Sequence, residues 1–123
     1  MTIREAIEQV DRLKPNQYGE QDKLAWLSKL DGRLYRETIQ THETAAAAFT
    51  GYPEAVDLET KLLAAWPYDE LYRWYLEMMI DDADGETVLY NNSAAKFNTT
   101  LQAWQAWYNR ENMPVQRVTR FAT

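Results

Sequence analysis

Five carboxylates lie within ten residues in the second half of the chain, and they are the side chains best suited to chemistry. They are Glu77, Asp81, Asp82, Asp84 and Glu86. If these residues end a helix, Glu77, Asp81 and Asp84 follow an i, i+4, i+7 spacing and share one helix face. Carboxylate oxygens in such an arrangement are ligands that Mg²⁺ prefers. The spacing therefore raises the hypothesis of a magnesium site on this face.

A magnesium site of this kind needs a second acidic helix opposite the first. Glu37 could supply part of one, but neither Glu37 nor Glu77 begins an E-x-x-E or E-x-x-D motif, the pair of motifs typical of all-α nucleotide pyrophosphatases. A solvated acidic surface is the favoured interpretation, because acidic residues are common on exposed helix faces. A magnesium-dependent all-α nucleotide hydrolase that uses Glu77, Asp81 and Asp84 stays as the alternative.

The chain contains one histidine, His42, and no cysteine. The lack of cysteine excludes disulfides, thiolate metal sites and a cysteine nucleophile, and a single imidazole excludes any site that needs two. No recognisable nucleophile or second ligand accompanies His42, so a structural role is favoured for it. No Glu-x-x-His motif of a di-iron bundle and no Gly-rich phosphate loop occurs. We therefore predict no catalytic, cofactor-binding or metal-ligating residues, and no cofactor.

The length and the charge of the chain limit its partners. The 123 residues suffice for one domain, and 13 basic against 19 acidic side chains give a net charge of −6. This charge opposes binding to nucleic acid, which needs clustered Lys and Arg. No apolar run approaches the length of a membrane span, and the first five residues lack the apolar stretch of a signal peptide. We expect a soluble protein that is cytoplasmic when made.

Four apolar stripes at helical period predict an all-α protein, a small bundle of about four main helices. The helices are expected near 2–13, 20–41, 67–84 and 87–110. The stripe of the second helix passes through Leu30 or Asp31. The predicted core consists of Leu24, Leu27, Leu34, Leu71, Tyr75, Met78, Phe97, Leu101 and Trp104.

Short signals mark the helix ends. Thr2 and Glu5 form a T-x-x-E capping box, and Gly85 is well placed as a C-terminal cap. Residues 91–93, Asn-Asn-Ser, could instead cap a shorter fourth helix. Gly32 lies inside the second helix at a cost of about 1 kcal/mol relative to Ala. That cost predicts a close approach of another backbone or a local bend, and we favour the close approach.

Residues 42–66 follow no regular period and are expected to form a long irregular connection. Connections of this length are uncommon unless they carry function, although a packed surface loop is equally expected. Within the connection, the four alanines 45–48 could extend the second helix or form a separate turn. The segment 61–65 could be a short helix or an extended piece.

The composition changes at the end of the chain: residues 113–123 contain two arginines, several apolar residues and no acid. Such a tail can attach to the acidic body of a neighbouring copy, and a frayed terminus is the alternative. We therefore divide the chain into a helical bundle domain, 1–112, and an extended C-terminal tail, 113–123. The candidate partner-binding residues are Phe49, Tyr52, Arg117, Val118, Arg120 and Phe121.

Aromatic residues are unusually frequent, with five Trp, eight Tyr and three Phe. Most are expected in the core, because large apolar side chains prefer burial. The alternative is that several rings lie at a partner surface, where Trp and Tyr are enriched.

Three segments give the chain a resemblance to a known class of proteins. They are 66–80, which begins Trp-Pro-Tyr-Asp-Glu-Leu-Tyr, 85–97, which contains Tyr-Asn-Asn-Ser-Ala-Ala-Lys-Phe, and 104–110. They resemble small prophage proteins of Gram-positive bacteria, which are similar in size and layout to the helical head-to-tail connector, or adaptor, proteins of long-tailed phages. The shared layout covers nearly the whole chain.

The resemblance implies a structural protein of the virion that is made in the host cytoplasm and has no enzymatic activity. Its implied partners are the portal protein and tail-completion proteins. It also implies self-association into a ring on the portal, with DNA as passing cargo only and no membrane contact. In isolation we expect a monomer or a weak oligomer. A small phage regulatory or chaperone protein that masks a partner is a further alternative.

Overall fold

A computed structural model describes residues 1–42 and 48–112 of the chain. It contains four α-helices and a short 3₁₀ turn, Ile39–Thr41, and the described ranges contain no β-sheet. The predicted all-α class is therefore confirmed. The helices are α1, Ile3–Leu13; α2, Glu20–Glu37; α3, Glu70–Asp84; and α4, Thr87–Glu111.

The predicted helix caps are present. The Thr2 hydroxyl accepts a hydrogen bond from the Glu5 backbone N–H at 3.1 Å, and the Thr2 N–H donates to the Glu5 carboxylate at 2.8 Å. This capping box satisfies backbone donors that the first turn of α1 leaves free. Gly85 ends α3 in the left-handed conformation, with a φ of 73°, which is favourable for a residue without a Cβ.

Two predicted helix boundaries move by about one turn. The α-helical part of α2 ends at Glu37 rather than at residue 41, because the Thr38 backbone departs from α geometry and a 3₁₀ turn follows. Helix α3 begins at Glu70 rather than at residue 67, because residues 66–69 form a turn. The shorter alternative for α4 is wrong, since that helix already begins at Thr87.

Helices α3 and α4 form an antiparallel pair joined by a two-residue turn, and α1 and α2 pack against α3. The ring centroids of Tyr75 and Phe97 lie 5.3 Å apart across the α3–α4 contact. Eight of the nine predicted core residues are buried, and Met78 packs partly buried against them. The core continues through α1, where Ile3, Ala6 and Val10 are fully buried.

The long connection runs back along the N-terminus in an extended conformation. The Ile3 N–H donates to the Thr60 carbonyl at 3.0 Å, and the Leu62 N–H donates to the Met1 carbonyl at 3.0 Å. Thr2 and Lys61 form an isolated antiparallel bridge. The segment 61–65 is therefore not a helix, since Lys61 lies in the bridge and Leu63 and Ala64 lie in bends. Most of the alanine run lies outside the described residues.

Gly32 does not serve the close internal contact that we expected. A Cβ built at this position meets nothing within 4 Å among the described residues. The expectation is therefore wrong for the described chain, and the space beside this part of α2 is open.

Candidate functional site

A buried carboxylate, Asp31 on α2, lies at the centre of a polar network. Its side chain is fully buried and accepts three hydrogen bonds. The Tyr72 hydroxyl donates to Oδ1 at 2.6 Å, and the Leu63 N–H donates to Oδ2 at 3.1 Å. The Tyr52 hydroxyl also donates to Oδ2 through a short hydrogen bond. Asp31 thus joins α2 to α3 and to two points of the long connection.

Tyr72 extends the network by one further bond. Its hydroxyl accepts the Ala64 N–H at 2.7 Å while it donates to Asp31. The backbone of the connection is therefore held at Leu63 and Ala64, and its side chain Tyr52 provides a third attachment. A buried network in which every hydroxyl has a partner specifies one arrangement of its segments.

Burial dominates the electrostatics of this network. Desolvation raises the pKa of Asp31, while the hydrogen bonds from Tyr52, Tyr72 and the Leu63 N–H act to lower it. Burial and the neighbouring Asp31 carboxylate raise the pKa of Tyr52 and of Tyr72. No cation forms an ion pair with Asp31 in the described residues. The Asp31 carboxylate has no access to solvent, so we assign it a structural role: it holds the long connection against α2 and α3.

The acidic cluster at the end of α3 is not a single face of free carboxylates. Asp81 is 1% exposed, lies 2.7 Å from the Lys14 Nζ and accepts the Ser93 hydroxyl at 3.0 Å. Glu77 pairs with Arg73 at 2.8 Å. The solvated-surface interpretation is therefore wrong for Asp81, whose carboxylate ties the α1–α2 turn to α3 and α4.

The other predicted member of the magnesium site also has its own partners. Asp84 accepts hydrogen bonds from the Tyr18 hydroxyl at 2.7 Å and from the Gln17 amide at 3.2 Å. Glu37 pairs with Arg33 on its own helix. Among the described residues, no three metal-ligating side chains are grouped so that they could hold an ion.

His42 is buried at the end of the 3₁₀ turn. Its Nδ1 lies 2.6 Å from the Thr38 carbonyl oxygen and its Nε2 lies 2.9 Å from Oδ1 of Asn109 on α4. The ring also makes an edge contact with Tyr108, at a centroid distance of 4.7 Å. These contacts give His42 the structural position that the sequence predicts.

A surface groove of about 640 Å³ lies between α2 and the residues that open the connection. We call it the α2 groove. Lys29, Arg33 and Arg36 line it at i, i+4, i+7 spacing, and Gly32 lies between them. Phe49, which is partly buried, provides aromatic surface, and the buried Tyr75 reaches the lining only with its edge of 7% exposure. The groove therefore combines three cations with one accessible ring.

The connection wall of this groove is held rigidly against α2. The Tyr52 N–H donates to the Ser28 hydroxyl at 2.8 Å, and the Phe49 and Tyr52 rings are in edge contact at 4.9 Å. Gly51 has a φ of 103°, and a Cβ there would meet the Ser28 Oγ at 2.9 Å. Glycine is thus required twice over at this position, by backbone conformation and by close approach.

The structure brings together two of the six candidate partner-binding residues. Phe49 lies on the α2 groove, while Tyr52 directs its hydroxyl inward to Asp31. The other four candidates, Arg117, Val118, Arg120 and Phe121, belong to the tail and lie outside the described residues.

Two features of the structure, the basic stripe on α2 and the Asp31 network, were not predicted from the sequence. The spacing of Lys29, Arg33 and Arg36 was visible as a basic stripe on one face of α2. Asp31 was noticeable in the sequence as an acid within the apolar stripe of α2. Its hydrogen-bond donors Tyr52 and Tyr72 are distant in sequence, so the pairing could not be predicted.

The aromatic residues divide between the core and the surface. Trp104 is 1% exposed, whereas Trp66 is 81% exposed at the turn before α3. Val88 and Leu89 at the start of α4 are also exposed. Burial in the core is thus confirmed for Trp104, while the partner-surface alternative stays a prediction for the exposed Trp66, a residue type that is common at interfaces.

Comparisons with protein families, with curated proteins and with solved structures found no match for this chain. Among residues 1–42 and 48–112, no helix combines the length and the apolar character needed to cross a membrane.

Proposed function

We propose that the chain is a non-enzymatic phage structural protein, a head-to-tail connector that joins the portal to the tail machinery. The observation that carries the proposal is the rigid attachment of the long connection through Asp31. It holds Phe49 at the α2 groove, while Trp66 stands exposed at the turn before α3. A surface held in place before binding loses less entropy when a partner docks.

The resemblance supplies the partners in this proposal. One side of the protein would contact the portal and the other would contact tail-completion proteins, while copies of the chain associate into a ring on the portal. The net charge of −6 supports a channel component, because like charge keeps passing DNA from adhering. The protein would reside in the virion and, before assembly, in the host cytoplasm, and it would need no cofactor.

The hydrolase alternative receives less support from the site geometry. Glu77, Asp81 and Asp84 each have a different partner, in Arg73, Lys14 and Tyr18 respectively. A magnesium ion would have to displace these contacts before it could bind. Incubation of the purified protein with nucleoside triphosphates and Mg²⁺ should therefore release no pyrophosphate. Release that Asp84→Asn abolishes, in a protein that remains helical, would overturn the proposal.

Deletion of the gene in the encoding phage tests the proposed function. A connector is needed only after heads and tails are built, so the deletion should yield DNA-filled heads and free tails that complementation joins. Electron microscopy of the lysate measures this. A regulatory or chaperone role predicts a different defect, such as missing heads or missing tails, and that result would contradict the connector proposal.

A further inference from the structure

The lining of the α2 groove is positively charged, whereas the net charge of the chain is negative. The chain carries a net charge of −6, yet three cations line this groove, and Glu37 is the one acid among its described lining residues. Glu37 pairs with Arg33 at 3.2 Å. Lys29 and Arg36 form no ion pair with any described residue. Two exposed cations are therefore free to meet carboxylates from outside.

Gly32 leaves the floor of the groove open. A Cβ at this position would meet nothing within 4 Å in the described chain, so no internal contact requires glycine there. The absence of a side chain allows another backbone to approach α2 closely between Lys29 and Arg36. Phe49, which is partly buried, supplies apolar surface beside this opening.

The complementary surface occurs on the same chain, at the turn between α3 and α4. We call residues 82–89 the corner. Asp82 and Glu86 are exposed and form no ion pair with any described residue. Val88 is 72% exposed and Leu89 is 44% exposed. The corner thus presents two free carboxylates beside two apolar side chains.

We propose that the corner of one copy docks into the α2 groove of a second copy. Asp82 and Glu86 would face Lys29 and Arg36, while Val88 and Leu89 would cover Phe49. The two surfaces differ, so the contact is heterologous, which is what a closed ring requires. The inference deepens the proposed connector function by naming its subunit contact, and it rests on that function for its biological setting.

Disulfide trapping tests the contact directly, because the chain has no cysteine of its own. Thr50→Cys places a thiol in the groove and Thr87→Cys places one on the corner, both at exposed positions that keep the proposed charged and apolar contacts. Mixed at high protein concentration under mild oxidation, the two variants should form about tenfold more covalent dimer than a control pair, because docking raises the local thiol concentration. The control pairs Thr50→Cys with Thr99→Cys, an exposed position on α4 away from the corner.

Charge reversal identifies the groups that hold the contact. Arg36→Glu in the groove variant should reduce trapping severalfold, and Glu86→Arg in the corner variant should restore much of it. Raised salt should also reduce trapping, since the free charges are exposed. Trapping no greater than in the control pair, or no effect of Arg36→Glu, would overturn the inference.

A second measurement separates this inference from the proposed function. If trapping fails while the protein is still found in virions, the corner contact is wrong and the connector proposal stands. If trapping succeeds and gene deletion leaves heads joined to tails, the contact stands and the connector proposal is wrong. If trapping fails but Arg36→Glu abolishes incorporation into virions, the groove holds an acidic segment of another protein and the inference is overturned.

Discussion

Asp31 shows how one buried carboxylate can organise a long irregular segment. Removing it leaves the Tyr52 and Tyr72 hydroxyls and the Leu63 N–H without their acceptor. Asp31→Ala should therefore lower the free energy of unfolding by about 3 kcal/mol, because each unsatisfied buried donor is costly. Asp31→Asn retains one acceptor oxygen and should cost less. Urea unfolding measures both.

The matched control for this experiment is Asp82→Ala, which removes an exposed carboxylate from α3. It should change the unfolding free energy by less than about 0.5 kcal/mol. Equal effects of Asp31→Ala and Asp82→Ala would contradict the role given to the network.

The pH dependence of stability follows from the same residue. Burial raises the pKa of Asp31 above its ordinary value of 3.8, so the folded state keeps this proton to higher pH than the unfolded state does. Its favourable contribution is complete below pH 3.8 and is lost as the pH rises through the folded-state pKa. The stability of the wild type relative to Asp31→Asn should therefore fall as the pH rises through this window. Denaturant unfolding at several pH values checks this, and a relative stability that rises with pH would contradict it.

The residue scale also shows where sequence reasoning stops. A stripe through Leu30 or Asp31 was predicted, and both residues are buried. Their different roles depend on Tyr52 and Tyr72, which lie 21 and 41 residues from Asp31. No local period encodes such a pairing, so the network could be found only once the chain was folded.

At the scale of elements, the apolar periodicity of the sequence predicted where the helices lie. The ends of helices were predicted correctly where the sequence contains a capping residue. The capping box of α1 and Gly85 at the end of α3 are examples. The C-terminal end of α2 and the start of α3 differ from the predicted positions by about a turn, because no local signal marks them. At the end of α2, His42 is held by Asn109, a residue far along the chain.

The turn between α1 and α2 should depend on the ion pair between Lys14 and Asp81. Asp81 is 1% exposed, and its Oδ1 lies 2.7 Å from the Lys14 Nζ. Lys14→Ala should lower the free energy of unfolding by about 3 kcal/mol, because it leaves a buried carboxylate without its cation. Chemical denaturation gives the value. Lys29→Ala, which removes an exposed lysine, serves as the control and should be nearly neutral.

At the scale of the whole molecule, the buried core formed by the described residues ends before residue 113. The buried apolar residues of the described chain extend from Ile3 to Trp104. Deleting residues 113–123 should therefore leave the helical content and the melting temperature nearly unchanged while abolishing incorporation into phage particles. Circular dichroism and particle analysis measure the two effects. If the truncated protein unfolds, the tail belongs to the core of its own subunit and its assembly role is wrong.

Assembly of such a protein should depend more on copies being held next to one another on the portal than on the affinity of a single contact between two copies. Exposed charge pairs contribute about 0–1 kcal/mol each, so Val88 and Leu89 must provide much of the energy of a corner contact. A monomer or weak oligomer in solution would then close its ring on the portal, where neighbouring copies are held at high effective concentration.

The central claim is that this chain joins phage heads to tails, and its position in finished particles tests that claim most directly. Virions produced by the encoding phage would be purified and labelled with an antibody against the chain for electron microscopy. The account predicts label confined to the junction between head and tail. Purified, intact particles that lack the chain, or that carry it elsewhere, would contradict the account.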